Sequence, residues 1–167
     1  MPGKASGVKG DAFERSIAKF FNQLFGVAQF GKSPSSGARM GKSNFAKNNG
    51  LAESAIHTMI CDIITPDSFP FVIECKCYAD APQYHTLIKD SERNIDNWLK
   101  EVEFDANNVG KLPMLAFKTN NKGTHFVIPF DFLKDTSSIP YFAKYRNYII
   151  IGSEHMSLIK DQLWSGE

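Results

Sequence analysis

The sequence has little that would export it or hold it in a membrane. Its 167 residues include three cysteines, Cys61, Cys75 and Cys77. An odd number in a chain without an export signal argues against a disulfide framework and for reduced thiols. The longest apolar runs, such as residues 148–151 and 71–73, fall far short of the roughly 20 residues that cross a bilayer. No segment near the start joins basic residues, an apolar run and a small-residue cleavage site, so the expectation is a cytoplasmic protein with no membrane partner. Internal repeats are lacking too, and the formal net charge is only +1.

That small net charge hides an asymmetry. Residues 1–50 hold eight Lys and Arg against Asp11 and Glu14, whereas residues 51–167 hold eleven against sixteen acids. A basic first third suits a partner that carries phosphates, and the acidic remainder leaves carboxylates for a task such as holding a cation. A solvated surface of uneven charge gives the same counts. With 43% hydrophobic residues, residues 1–167 are expected to form one domain with a substantial core.

Apolar residues at three- and four-residue spacing, Phe13, Ile17, Phe20, Phe21, Leu24 and Phe25, predict an amphipathic helix over 11–25 that ends at Gly26. Residues 27–30 read as a short strand. Residues 31–50, rich in Gly, Ser, Asn and Lys, read as a flexible basic loop carrying Lys32, Arg39, Lys42 and Lys47. Residues 59–64 and 71–78 are rich in β-formers and flank Pro66-Asp67-Ser68, which predicts a hairpin. A helical pattern over 84–104 follows, then strands at 114–118 and 125–128, a helical turn at 130–133, a buried strand at 148–151 and a last helix at 156–164. The aromatics, including Phe20, Phe21, Trp98, Phe104 and Trp164, have the spacing of core residues.

The hairpin carries the chemistry. Glu74 and Lys76 share one face of their strand, and the turn brings Asp62 almost opposite Ile73 and Glu74. Facing carboxylates raise each other's pKa unless a cation lies between them, and hard divalent ions take such oxygens. A lysine beside the ion can orient or deprotonate a water. An exposed Glu-x-Lys pair on a surface strand is the ordinary alternative, but Phe71, Val72, Ile73 and Cys75 around it describe a sheet centre. Asp67 falls in the turn, too near Glu74 for pairing. Glu14 fits either a capping box with Asp11 or a cation site. His57 with the cysteines suggests zinc, yet the sulfurs are expected together on the face away from the carboxylates, as small core residues.

These residues resemble the PD-(D/E)xK nuclease superfamily and, within it, archaeal-type Holliday-junction resolvases. The likeness lies in Lys9-Gly10, Glu14-Arg15, Ser36-Gly37 with Arg39, Asp62-Ile63-Ile64, Ile73 to Lys76 and the segment from Phe126 to Leu133. Cys61 stands where that pattern has proline, and the stretch from Gly37 to Asp62 is longer than the pattern.

The resemblance implies an α/β fold, a central mixed β-sheet flanked by helices in a restriction-endonuclease-like core. It implies hydrolysis of DNA phosphodiester bonds with Mg²⁺, for which Mn²⁺ can substitute, and a homodimer acting on four-way junctions. Asp62, Glu74, the carbonyl of Cys75 and Glu14, directly or through water, would hold the metal. Lys76 would position the nucleophile and Ser36 would approach the phosphate, while Lys9, Arg15, Lys32, Arg39 and Lys42 would contact DNA. The alternatives are a restriction-like or repair endonuclease on duplex DNA and a non-catalytic DNA-binding module.

Overall fold

In the computed structural model, residues 3–34, 60–80, 82–120, 122–140 and 142–166 are described. Most of the expected basic loop, with Ser36, Arg39, Lys42 and Lys47, lies outside the described residues, as does His57. Helix α1 (Gly3–Phe25) starts well before the expected Asp11. It stops where Gly26 takes φ +71°, a conformation that costs glycine nothing because it has no Cβ. Among the described residues no helix is long and apolar enough to cross a membrane.

The expected mixed sheet flanked by helices forms. Its order is β1-β2-β3-β4-β5-β7-β6, from β1 (Gly31–Lys32), β2 (Ile63–Ile64), β3 (Phe71–Tyr78), β4 (Leu112–Thr119), β5 (Thr124–Pro129), β6 (Ala143–Tyr145) and β7 (Tyr148–Gly152). Only β3 and β4 run parallel, and their crossover carries the helices that cover one face. The pattern over 84–104 resolves into α2 (Tyr84–Ile88) and α3 (Arg93–Asn108). Asp90 interrupts it at φ 48°, a left-handed conformation that aspartate tolerates, and Glu92 then caps α3 through Asn94 N–H. The strand expected at 27–30 forms instead at β1, and β6 has no counterpart among the expected elements. The expected last helix divides into a 3₁₀ segment (Ser153–Leu158) and a short α4 (Lys160–Leu163).

Alternation along β3 splits the core. Phe71, Ile73 and Cys75 pack with Phe13, Ile17 and Phe21 of α1, while Val72 packs with Ile95, Trp98, Leu99 and Val102 of α3. The cysteines do not share a face as expected. Cys75 lies on the α1 side, Cys61 on the α3 side, and Cys77 is exposed. The cause is a bulge. Ile63 pairs with Ile73 while Asp62 N–H also donates to the Ile73 carbonyl (3.2 Å), so two residues of one strand meet one of the other and alternation inverts. Cys61, just before it, has φ 59°. Phe104 is the exception among the aromatics expected in the core, at 47% exposed.

Phe21 is fully buried and touches the rings of Phe20, Phe25, Phe30, Phe69 and Phe126. In denaturant unfolding, Phe21→Ala is expected to cost about 3–5 kcal/mol, and the exposed Phe104→Ala within about 0.5 kcal/mol of zero.

Candidate active site

The early end of β2 builds the site. Beyond Ile63 the chain leaves the ladder, and the N–H of Cys75 donates instead to Asp62 Oδ2 at 2.8 Å. This charge-assisted bond fixes a carboxylate that is 6% exposed against the edge of β3. Asp62 is held through its backbone as well, its carbonyl accepting from Ser33 N–H at 2.9 Å.

Glu74 and Lys76 project toward α3. Lys76 Nζ donates to Glu74 Oε1 (2.7 Å) and to Glu101 Oε2 of α3 (3.0 Å). Burial opposes the ammonium charge, but Glu74 and Glu101 outweigh it and hold Lys76 above its ordinary pKa. One turn further along α3, Asp105 is buried and its Oδ2 accepts from the Cys61 thiol at 3.8 Å. One donor atom each from Cys61, Glu74 and Asp105 lies within 4.8 Å of the others. Burial, with Glu74 and Asp105 nearby, pushes the Cys61 thiol well up, so it stays neutral and is a poor ligand for a hard cation.

Sequence reasoning missed both Glu101 and Asp105. The signal for Asp105 was present, because it occupies a buried position in the stripe Ile95, Trp98, Leu99, Val102 and Ala106. Glu101 lies off that stripe and left no such sign.

Helix α1 adds Glu14 from the other side. Asp11 sits deep inside the longer α1, so the capping-box reading of Glu14 does not hold. Glu14 Oε2 is buried with no hydrogen-bond partner among the described residues, and Lys32 Nζ lies 3.5 Å from it. Lys32 also pairs with Asp11 at 2.7 Å, so its ammonium is engaged within the cluster. Arg15 pairs with Asp11 and is exposed, as is Lys9. Asp62, Glu74, Cys75, Lys76 and Glu14 therefore come together, with Lys32 beside them and Lys9 and Arg15 on the surface of α1. Ser36, Arg39 and Lys42 lie outside the described residues.

Burial raises the Glu74 carboxyl from 4.5 to about 7, with Asp62 and Glu101 adding repulsion against the opposing pull of Lys76. Glu14 is also raised, by burial above all and further by Asp11 and Glu74. Acids that resist ionising, beside a buried oxygen without a hydrogen bond, fit a divalent cation with oxygen ligands.

A sign follows for stability. Between about pH 4.5 and 7 the folded protein keeps a proton on Glu74 that the unfolded chain releases, so rising pH costs stability across that window. Without cation, Glu74→Gln is expected to be more stable than wild type at pH 7.5, by on the order of 1–3 kcal/mol, and so to melt at higher temperature, with the gap closing near pH 5. Millimolar Mg²⁺ should stabilise the wild type more than the variant. Parallel melting curves for both proteins at both pH values measure this.

Residues 5–160 match the family described as phage PDDEXK endonuclease. No curated protein matches the chain. Among solved structures, a Holliday junction resolvase from the archaeal hyperthermophile Archaeoglobus fulgidus is 12% identical. The similarity covers 92% of this chain and 95% of that one with a TM-score of 0.43, a distant likeness.

Proposed function

This chain belongs to the phage PDDEXK endonuclease family, and from that premise we propose that it is a metal-dependent endonuclease that hydrolyses phosphodiester bonds of branched DNA. One observation carries the reading: Asp62, Glu74 and Lys76 converge at the open edge of β3, with Asp62 locked to Cys75 N–H at 2.8 Å. Asp62, Glu74 and the Cys75 carbonyl would hold the cation, with Glu14 directly or through a water. Mg²⁺ suits this oxygen set and Mn²⁺ can replace it. When bound, the ion supplies positive charge to the phosphate oxygens and lowers the pKa of a water.

The chain's own residues do the rest. Lys76 enters as an ammonium, because Glu74 and Glu101 keep its proton on. In that form it would orient the attacking water and face the charge growing on phosphate. Glu101 would keep Lys76 in place where Glu74 holds the cation. Ser36, Lys9, Arg15, Lys32, Arg39 and Lys42 are proposed to contact the DNA backbone, with Lys32 exchanging its carboxylate partners for phosphate.

Four-way junctions are the proposed substrate. The support is the ordered set Lys9-Gly10, Glu14-Arg15, Ser36-Gly37, Asp62-Ile63-Ile64 and Glu74-x-Lys76. A homodimer would match the two-fold symmetry of such a junction. Asp62→Asn, Glu74→Gln and Lys76→Ala are each expected to lower cleavage at least about a hundredfold while DNA binding persists. The assay uses labelled four-way junction, linear duplex, flap and single strand, with Mg²⁺ and with EDTA. Near-normal cutting by folded Glu74→Gln protein ends the catalytic assignment. Preferential cutting of duplex at defined sequences replaces the junction reading with a restriction-like one.

The basic segment gives a separate expectation. Arg39→Ala with Lys42→Ala should weaken binding to all DNA sequences alike and flatten its salt dependence by about one unit of slope per lost phosphate contact. An unchanged slope would make both residues bystanders.

A further inference from the structure

Beside the candidate active site lies a cavity of about 470 Å³, within the roughly 300–1,000 Å³ typical of small-molecule sites. Leu87, Phe117, His125, Phe142 and Ile150 form its walls, and Lys122, Glu154 and His155 also line it. We propose that this cavity receives an unstacked nucleobase of the DNA strand being cut, close to the scissile phosphate. The proposal rests on the reading of the chain as a DNA nuclease.

The sheet register ties the cavity to the catalytic strand. Lys76 of β3 pairs with Phe117 of β4, Phe117 with His125 of β5, and His125 with Gly152 of β7. Neighbouring strands lie about 4.8 Å apart, so β5 is about 10 Å from β3. That distance equals about three nucleotides of a stacked strand at roughly 3.4 Å each. A chain of rings spans the same interval. Tyr78, two residues past Lys76 and 43% exposed, packs on Trp98 at 4.9 Å. Trp98 packs on Phe117 at 6.1 Å, and Phe117 stacks on His125 at 5.2 Å and 17°. Phe142 closes the far side and is 43% exposed. Trp98 and Phe117 are buried under α3 and form the backing of this row, so the rings open to a base are Tyr78 near Lys76 and Phe142 at the cavity, and base–aromatic stacking does not depend on sequence.

The chemistry of the lining selects the occupant. A phosphate would meet the Glu154 carboxylate, which pairs with His155 at 3.8 Å, and an alkyl chain would make no use of the exposed Lys122 ammonium. A nucleobase is flat and neutral, with donors and acceptors on its edges. Lys122 can donate to a base carbonyl and Glu154 can accept from an exocyclic amine. His125 lines the cavity with its ring stacked on Phe117.

The test places 2-aminopurine at each position within three nucleotides of the cut site and binds the DNA to full-length Asp62→Asn protein with Mg²⁺. Emission is expected to change several-fold at one position, and Leu87→Trp in the same background, which fills the cavity, should abolish that change. Phe142→Ala, on an exposed ring whose loss leaves the core intact, should weaken junction binding by about fivefold or more. No responsive position, or a response that survives both substitutions, overturns the proposal. If the wild type cuts DNA while the cavity variants behave as their parent, this inference alone fails. If the wild type neither binds nor cuts any DNA, the nuclease reading fails and the cavity proposal with it.

Discussion

The bond from Cys75 N–H to Asp62 Oδ2, 2.8 Å long, is the contact around which the site is organised. A sheet-edge N–H without a partner is costly when buried, and the bulge at Asp62 leaves this one without a strand opposite. The carboxylate that satisfies it is thereby held against β3 in a fixed position. The same bulge turns Cys61 toward α3, where it sits with Glu74 and Asp105. One irregularity in the pairing of β2 and β3 therefore sets the two sides of the cluster.

Among the described residues, the cluster around that contact holds more carboxyl groups than ammonium groups. Asp62, Glu74, Glu14, Glu101 and Asp105 come from α1, the bulge, β3 and α3, and Lys76 and Lys32 are the ammonium groups that meet them. Such an arrangement opposes stability in the absence of a cation, as the raised carboxyls of Glu74 and Glu14 indicate. Strain of this kind at a functional site is tolerated where the surrounding packing is strong. Here the packing is the Phe-rich layer under α1 and the aliphatic and Trp layer under α3. The parallel pairing of β3 with β4 joins the layers, and its crossover helix delivers Glu101 to Lys76.

The row Lys76, Phe117, His125 shows why the neighbouring cavity belongs to the same working surface. Side chains in register across strands share a face, so the face that carries Lys76 also carries Phe117 and His125. Both faces are closed by core packing, under α1 and under α3, and from the α1 side the site receives Glu14.

Some of this was legible in the sequence. Period-two alternation fixed Glu74 and Lys76 on one face of β3, and turn chemistry removed Asp67 and brought Asp62 to the catalytic strand. Helical spacing located the core side of α1. These features depend on neighbours in the chain, whose geometry is set by local sterics. Tertiary structure decided the rest. The bulge at Asp62 moved Cys61 across the sheet against a simple hairpin reading. The break at Asp90 depends on a backbone conformation that helical periodicity does not register. Glu101 and Lys32 gained their places from partners 25 and 21 residues away, Lys76 and Asp11. Such contacts form only when the crossover and the first helix fold back onto the sheet, and no spacing along the chain encodes the distance between two side chains that packing alone brings together.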